Sequence, residues 1–212
     1  MAERIPMRGK FGVLCMLIGA ALIAGALLLF LQNEKESSDA EVFAENVMPA
    51  IQEEILQALQ ITATEPDLSE NTPVELLRPE DLIMTEKKIN GYSYIGYLTV
   101  PDLNLELPVM SNWDSKRLTI SPCRFMGTVK GEDLVIMAHN FKSHFGYLSK
   151  LKEGAPVRFV DMDGVVWDYE VVAMDVLTAE AVEEMTAGEY DLTLFTCSTN
   201  RSQRITVRCN KI

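Results

Sequence analysis

The stretch 192–208, LTLFTCSTNRSQRITVR, holds two β-rich runs around a short polar loop. Leu192 to Thr196 is one strand by its apolar and β-branched content, and Arg204 to Arg208 is another. Cys197 ends the first run, Ser198 to Gln203 form the loop, and Arg204 opens the second. Paired as an antiparallel hairpin, the end of one strand faces the start of the next. A thiol and a guanidinium then meet at one rim of the sheet.

Other short runs lie upstream. Tyr94 to Val100 is one, Leu103 to Val109 alternates apolar and polar residues, and Leu134 to Ala138 has the composition of a buried strand. Val157 to Val160 and Val165 to Val172 flank the turn Asp161-Met162-Asp163-Gly164. Helical signal is confined to short pieces such as Ala179 to Met185. Many short strands with turns between them predict a mainly β fold, a closed or nearly closed β-barrel over residues 81–212.

The run Leu134 to Ala138 ends in His139 and Asn140, so a histidine approaches the same kind of rim. The chain has only 2 histidines, so candidates for a neutral-pH base are few. The other, His144, is expected to be peripheral. A thiol acts as a nucleophile when a neighbouring base or a lowered pKa makes it a thiolate. Histidine supplies that base and later protonates a leaving amine. Arginine keeps its charge and holds substrate oxygens or a developing oxyanion. Cys197, His139 and Arg204 together suffice for acyl transfer through a thioester. On spacing alone each also has a bland reading: a buried apolar thiol, a structural imidazole, a surface ion pair. Arg201 rivals Arg204 for the cationic role, and Arg208 shares a strand face with Arg204 by two-residue alternation, with a structural role expected.

The chain has 212 residues, 48% of them apolar and 24% charged, which excludes a wholly disordered protein. Nineteen basic residues against 31 acidic ones leave a net charge of −12. Such a surface repels phosphate backbones, so nucleic acid is not an expected partner. Four cysteines with no CxxC spacing fit neither a disulfide scaffold nor a structural zinc site. No cofactor or metal site is read from the chain. Cys123 and Cys209 are either paired or two buried thiols.

Apolar residues concentrate at 11–31, FGVLCMLIGAALIAGALLLFL. A run of roughly twenty uncharged residues is long enough to cross a bilayer as a helix. Arg4, Arg8 and Lys10 precede it and acid-rich residues follow. This predicts a transmembrane anchor over 11–32, with the N-terminus (1–10) inside and the rest of the chain outside. The run is longer than a cleaved signal's apolar core and ends in a poor cleavage site. Phe43, Val47, Ile51, Ile55 and Leu59 then recur every fourth residue. They predict a helix that packs on the catalytic domain or acts as a stalk, with Pro49 setting the start of its main part. A dimerising coiled coil is the other reading of that stripe. Residues 62–80, with Pro66, Pro73 and Pro79, read as a linker, so 33–80 is an extracytoplasmic helix and linker.

The wording around the three chemical residues resembles the sortase family. Leu192-Thr193-Leu194-Phe195-Thr196-Cys197, followed by Arg204-Ile205-Thr206-Val207-Arg208, is similar to that family's T-L-x-T-C word, loop, and arginine on the next strand. Val135 to Asn140 resembles the strand that ends in the family's histidine. Phe145, Leu148 and Leu151-Lys152-Glu153-Gly154 look like a family F-x-x-L-x-x-L-K-x-G run. Ile95 to Pro101 and Leu107 to Val109 resemble its paired early strands. The likeness implies an eight-stranded sortase barrel with Cys197 as nucleophile, His139 as general acid/base and Arg204 holding substrate and oxyanion. Thr196 matches the threonine before the cysteine and is expected to help line the substrate site.

The implied reaction is transpeptidation. The thiolate cleaves an LPXTG-like sorting signal of a secreted protein, holds the protein as a thioester, and passes it to an amine. That acceptor is a cell-wall precursor or a pilin lysine, and the setting is the outer face of a Gram-positive membrane. The short loop leaves the class open; the helix pattern before the barrel and the segment 179–185 lean towards a class B-like member, and the shortness of that segment keeps a class D-like or unclassified member in play. The end of the chain at Ile212 and the lack of an aspartate-aromatic lid argue against the pilin-polymerising class C pattern. The alternatives are a thiol protease that hydrolyses the acyl-enzyme, and a non-catalytic membrane-tethered binding module.

Overall fold

The structure is a computed structural model, described here for residues 8–62, 83–187, 189–198 and 202–212. The expected linker at 63–80, Arg4 and Arg201 lie outside the described residues. The chain divides into two compact units, 1–36 and 37–212. The first carries an apolar helix whose side chains over 11–31 are almost all exposed, and which is long and apolar enough to cross a membrane.

In the second unit nine strands form one sheet. They are β1 (Lys87–Ile89), β2 (Tyr92–Val100), β3 (Leu105–Met110), β4 (Cys123–Met126), β5 (Leu134–Met137), β6 (Pro156–Asp161), β7 (Val166–Thr178), β8 (Leu192–Cys197) and β9 (Gln203–Lys211). Their order is β1-β2-β3-β4-β5-β8-β9-β7-β6, and β6 pairs back onto β2. Strands β2 to β9 therefore close an eight-stranded barrel, which removes the exposed edges an open sheet would present. β1 is a ninth strand, joined to β2 through Asn90-Gly91. Both turn residues have positive φ, 49° and 89°, the conformation a two-residue hairpin of this twist requires.

Alternation decides what fills the barrel. Leu98, Val109, Ile136, Leu194 and Val207 point inward onto Phe145, Phe159 and Tyr169. β8 is buried along both faces, because its outward residues Thr193 and Phe195 are covered too. Two elements departed from expectation. β1 and β4 were not anticipated, since three or four residues with a charged or exposed member carry almost no periodic signal. Of the helix expected at 179–185, only α3 (Val182–Met185) forms; α1 (Arg8–Thr62) and α2 (Ser115–Leu118) precede it among the described residues.

α1 runs unbroken from Arg8 to Thr62 with Pro49 inside it, whereas the sequence placed the start of the packed helix at that proline. A proline removes one backbone bond and crowds the preceding turn. Burial on either side compensates. Ala40, Ala44, Val47, Met48, Ile51 and Ile55 lie at spacings of three and four and are all buried. Most of this stripe packs on the outer surface of the barrel, against Ile89, Tyr94, Met110, Cys123, Val160 and Met162. Polar ties fasten the helix as well: Ser143 Oγ donates to the Ser37 carbonyl at 2.8 Å, and Gln52 Nε2 to Glu106 Oε1 at 3.0 Å. The stripe is thus occupied by the barrel, which supports the packed-helix reading over the coiled coil.

Candidate active site

The site follows from two strand registers. β8 and β9 are antiparallel, with Cys197 opposite Arg204, Phe195 opposite Thr206 and Thr193 opposite Arg208. β5 and β8 are parallel, with Met137 beside Phe195, and the Ala138 amide continues the ladder to the Phe195 carbonyl at 3.2 Å. Two residues on from the Met137–Phe195 pair stand His139 and Cys197. Neighbouring strands lie about 4.8 Å apart. Cys197 faces Arg204 directly, and the register extended two residues past the end of β5 brings His139 level with Cys197, so the three line up as one row. They also share a face. Leu192, Leu194, Val207 and Cys209 point into the core, while Val135 and Phe195 belong to a cluster on the outside. Two-residue alternation carries that outside face on to His139, Cys197 and Arg204, and all three are half-buried.

The row is braced from beneath and beside. Thr196 is buried, and its Oγ1 donates to the Ala138 carbonyl at 2.8 Å, fastening the ends of β8 and β5 just before the histidine and the cysteine. Thr196 also borders a cavity of about 170 Å³ that Cys197 and Ser198 share with Asn140, Gly146 and Ser149. Phe141 stacks on the His139 ring, centroids 4.7 Å apart and planes at 22°. Stacking against an aromatic face restricts the orientation of the imidazole. Of these neighbours, Phe141, Gly146 and Ser149 do not stand out in the sequence. They fall in an aperiodic loop, where no spacing rule marks them.

The other cysteines are removed from the chemistry. Cys123 and Cys209 are free and buried, and burial pushes both thiols up to about 12. Neither is a thiolate at neutral pH. Of the two alternatives for this pair, the structure has two buried thiols. Cys15 lies on the apolar helix. Cys197 is left as the half-buried thiol with a histidine and an arginine in its row.

His144 is buried, and a backbone hydrogen bond with Ile120 is too weak to offset the cost of burying its charge. Burial, with the nearby charge of His139, pushes its pKa down to about 4. An unfolded histidine titrates near 6.5. Between pH 6.5 and 4 the unfolded chain therefore binds a proton that the folded chain refuses, and stability falls as pH falls through that window. At pH 5 the expected loss is about 2 kcal/mol relative to pH 8. A His144→Phe protein should lose much less stability between pH 8 and pH 5 than the parent, as read by thermal unfolding. An equal loss in both proteins would show that His144 is not the group responsible.

Apolar residues continue the outer face away from the row. Phe195, Val135 and Met185 form its buried part, with Phe125, Met137 and Leu177 packed at its edge. Phe125 meets Phe195 edge-on at 5.3 Å and stacks on Trp113 at 5.7 Å. This aromatic ladder leads from the strand of Cys197 to a second cavity of about 440 Å³, bordered by Ser111, Trp113, Arg124 and Met126. Among the described residues no group of three or more His, Cys, Asp or Glu side chains is arranged to hold a metal ion.

Comparison with known proteins agrees with this architecture. The Sortase domain family matches residues 98–212. Among solved structures, sortase C from Clostridium perfringens SM101 superposes with a TM-score of 0.52 at 19% identity, covering 89% of this chain and 98% of that one. Sortase C1 from Streptococcus suis gives a TM-score of 0.50 at 26% identity over 56% of this chain and 73% of its own. Sortase A from Corynebacterium diphtheriae, a lid mutant, gives 0.50 at 22% over 77% and 95%. No curated protein matches the chain by sequence. These structures are mostly C-type, whereas the sequence leaned to class B or D; at such identities the likeness concerns the fold and not the class. With the family matched over more than half its length and the closed eight-stranded barrel in place, the chain belongs to the sortase family of transpeptidases.

Proposed function

We propose that Cys197, His139 and Arg204 carry out the transpeptidation. The Cys197 thiolate attacks the scissile carbonyl carbon of a sorting signal. The tetrahedral oxyanion forms beside the Arg204 guanidinium, which offsets its charge. The C–N bond breaks as His139 gives its proton to the leaving amine, and the upstream protein stays on Cys197 as a thioester. An acceptor amine then attacks the thioester carbonyl and passes a proton to His139. The S–C bond breaks, and thiolate and imidazolium are restored. The observation that supports this reading is the Cys197–Arg204 pair on β8 and β9, with the β5–β8 register bringing the segment after Met137 alongside it.

The substrate proposed is an LPXTG-like signal on a secreted protein, and the acceptor a cell-wall precursor or a pilin amine. The apolar outer face beside Cys197 suits a peptide with an apolar residue upstream of the cleaved bond. The helix containing 11–31 serves as the membrane anchor, with the N-terminus inside by its basic flank and the barrel outside.

The test uses intact-mass spectrometry. Full-length protein in detergent is mixed with LPXTG-like and NPXTN-like peptides, with and without an added amine. A covalent adduct equal to the upstream peptide fragment is expected in the parent and absent in Cys197→Ala. The amine should convert the adduct to an amide product. An adduct that persists in Cys197→Ala would place the nucleophile elsewhere, and one released only by water would make the protein a protease.

A further inference from the structure

Arg208 sits four residues beyond Arg204 on the same outward face of β9, yet only 3% of it is exposed. Its donors are almost all engaged. Nε donates to Asp175 Oδ2 at 3.1 Å, and Nη1 to the Met185 carbonyl at 2.8 Å and to Thr193 Oγ1 at 3.1 Å. Nη2 donates to the Glu184 carbonyl at 2.6 Å. The guanidinium also lies 5.2 Å from the Tyr190 ring. One side chain thus ties β7, β8, β9 and the last turn of α3 together.

That bond set matters because α3 does little to hold itself. It has four residues and no side-chain cap, far below the length at which a helix is stable alone. Its position is imposed from outside, and Arg208 binds two of its final carbonyls. What it holds in place is Met185, which is 2% exposed and packs with Phe195 and Val135. Phe195 is two residues before Cys197 on the same face, about 7 Å along the strand. Thr206, between the two arginines, is fully buried, so the face next to the row is closed to solvent. In such a setting a short apolar wall sets what side chains fit.

We infer that Arg208 is a positioning residue for substrate selection: it pins the end of α3 so that Met185 backs the apolar face whose half-buried edge, Phe125, Met137 and Leu177, meets the peptide's upstream residue. This rests on the transpeptidation reading above. Arg208 contributes no proton and touches no reacting atom. Losing it loosens the wall, weakens peptide binding and blurs discrimination between apolar side chains, while the thiol keeps its reactivity.

The test measures kcat and KM on LPXTG-like peptides whose first residue is Leu, Val or Ala, together with the rate of Cys197 alkylation by iodoacetamide. Arg208→Met keeps the length and apolar stem but removes the donors. Its KM for the preferred peptide should rise about tenfold and the ratio of kcat/KM between peptides should shrink by a similar factor, with kcat and alkylation within about twofold of the parent. Met185→Ala removes the pinned side chain and leaves Arg208 intact, so it reads the same wall even if Arg208→Met does not fold. It should show the same rise and the same loss of selectivity. Unchanged KM and selectivity in Met185→Ala would overturn the inference. So would a fall in kcat and alkylation in folded Arg208→Met, which would put Arg208 in the chemistry. Absence of any adduct in the parent would instead sink the transpeptidation reading, and this one with it.

Discussion

A Cys197→Ala protein should fold as the parent does and lose turnover entirely, by about 10⁴-fold or more, the scale seen when a covalent nucleophile is removed. The fold should survive because Cys197 is half-buried at a strand end and contributes nothing to the core clusters. The flanking contacts that fix the strand, the Thr196–Ala138 hydrogen bond and the pairing with Arg204, run through neighbours and backbone. His139→Ala and Arg204→Ala should each cost about 10²- to 10³-fold, since one removes the proton carrier and the other the charge beside the oxyanion. His144→Ala makes the informative contrast. Its ring meets Phe141, which in turn stacks on His139, but it is buried and neutral at pH 7. Its loss should lower stability and leave peptide turnover per folded molecule within a few-fold. Turnover by single-cycle adduct formation, with folding followed by circular dichroism, separates these cases. Normal turnover in Cys197→Ala would end the mechanism proposed here.

The hairpin that bears Cys197 and Arg204 is legible in the chain because both strands and their connecting loop are contiguous and the loop is short. Its register then follows from geometry alone. The third member of the row is a different matter. His139 reaches Cys197 only because β5 pairs in parallel with β8, a contact between residues more than fifty positions apart. Spacing along the chain carries no information about such a crossover. The resemblance of the words around each residue linked them, and the structure supplies the register that puts them in a row. Other parts were hidden for reasons of scale. β4 has four residues, two of them polar or exposed, and a strand that short shows no period. Pro49 looked like a helix boundary, since local preference says so, but burial of Val47, Met48, Ile51 and Ile55 outweighs one missing backbone bond. Arg208 is expected on the Arg204 face in a structural role, but spacing does not show that it is buried. Only the placement of α3 over the sheet buries it, and α3 is too short to announce its own position.

The second large effect concerns the seam at which the barrel closes. β2 meets β6 through four residue pairs, Gly96–Asp161, Tyr97–Val160, Leu98–Phe159 and Thr99–Arg158. β2 is also bulged between Tyr94 and Gly96, where its register with β3 shifts. At Gly96 φ is +147°, and a β-carbon there would lie 2.0 Å from the Val160 carbonyl oxygen and 2.9 Å from the Asp161 Cα. Both are backbone atoms of the facing strand, so no rotamer change relieves the overlap. Gly96→Ala must push β6 away and open the seam over Leu98 and Phe159, two fully buried members of the core. The expected cost is about 4 kcal/mol, the scale of a severe core disruption, or a fall in Tm of about 8–16 °C for a domain of this size. Gly154→Ala is the control. It also has positive φ, +83°, but nothing lies within 4 Å of its missing β-carbon, so only backbone strain of about 1 kcal/mol is added. The seam lies across the barrel from the row, since β5 and β8 are the strands farthest from the β2–β6 junction in the ring and β9 adjoins β8. Below its midpoint, Gly96→Ala should therefore form acyl-enzyme at the parent's rate per folded molecule. A similar Tm for Gly96→Ala and Gly154→Ala would mean that the two strands do not close there, and a slowed rate in fully folded Gly96→Ala would mean that strain at the seam reaches the row through the core.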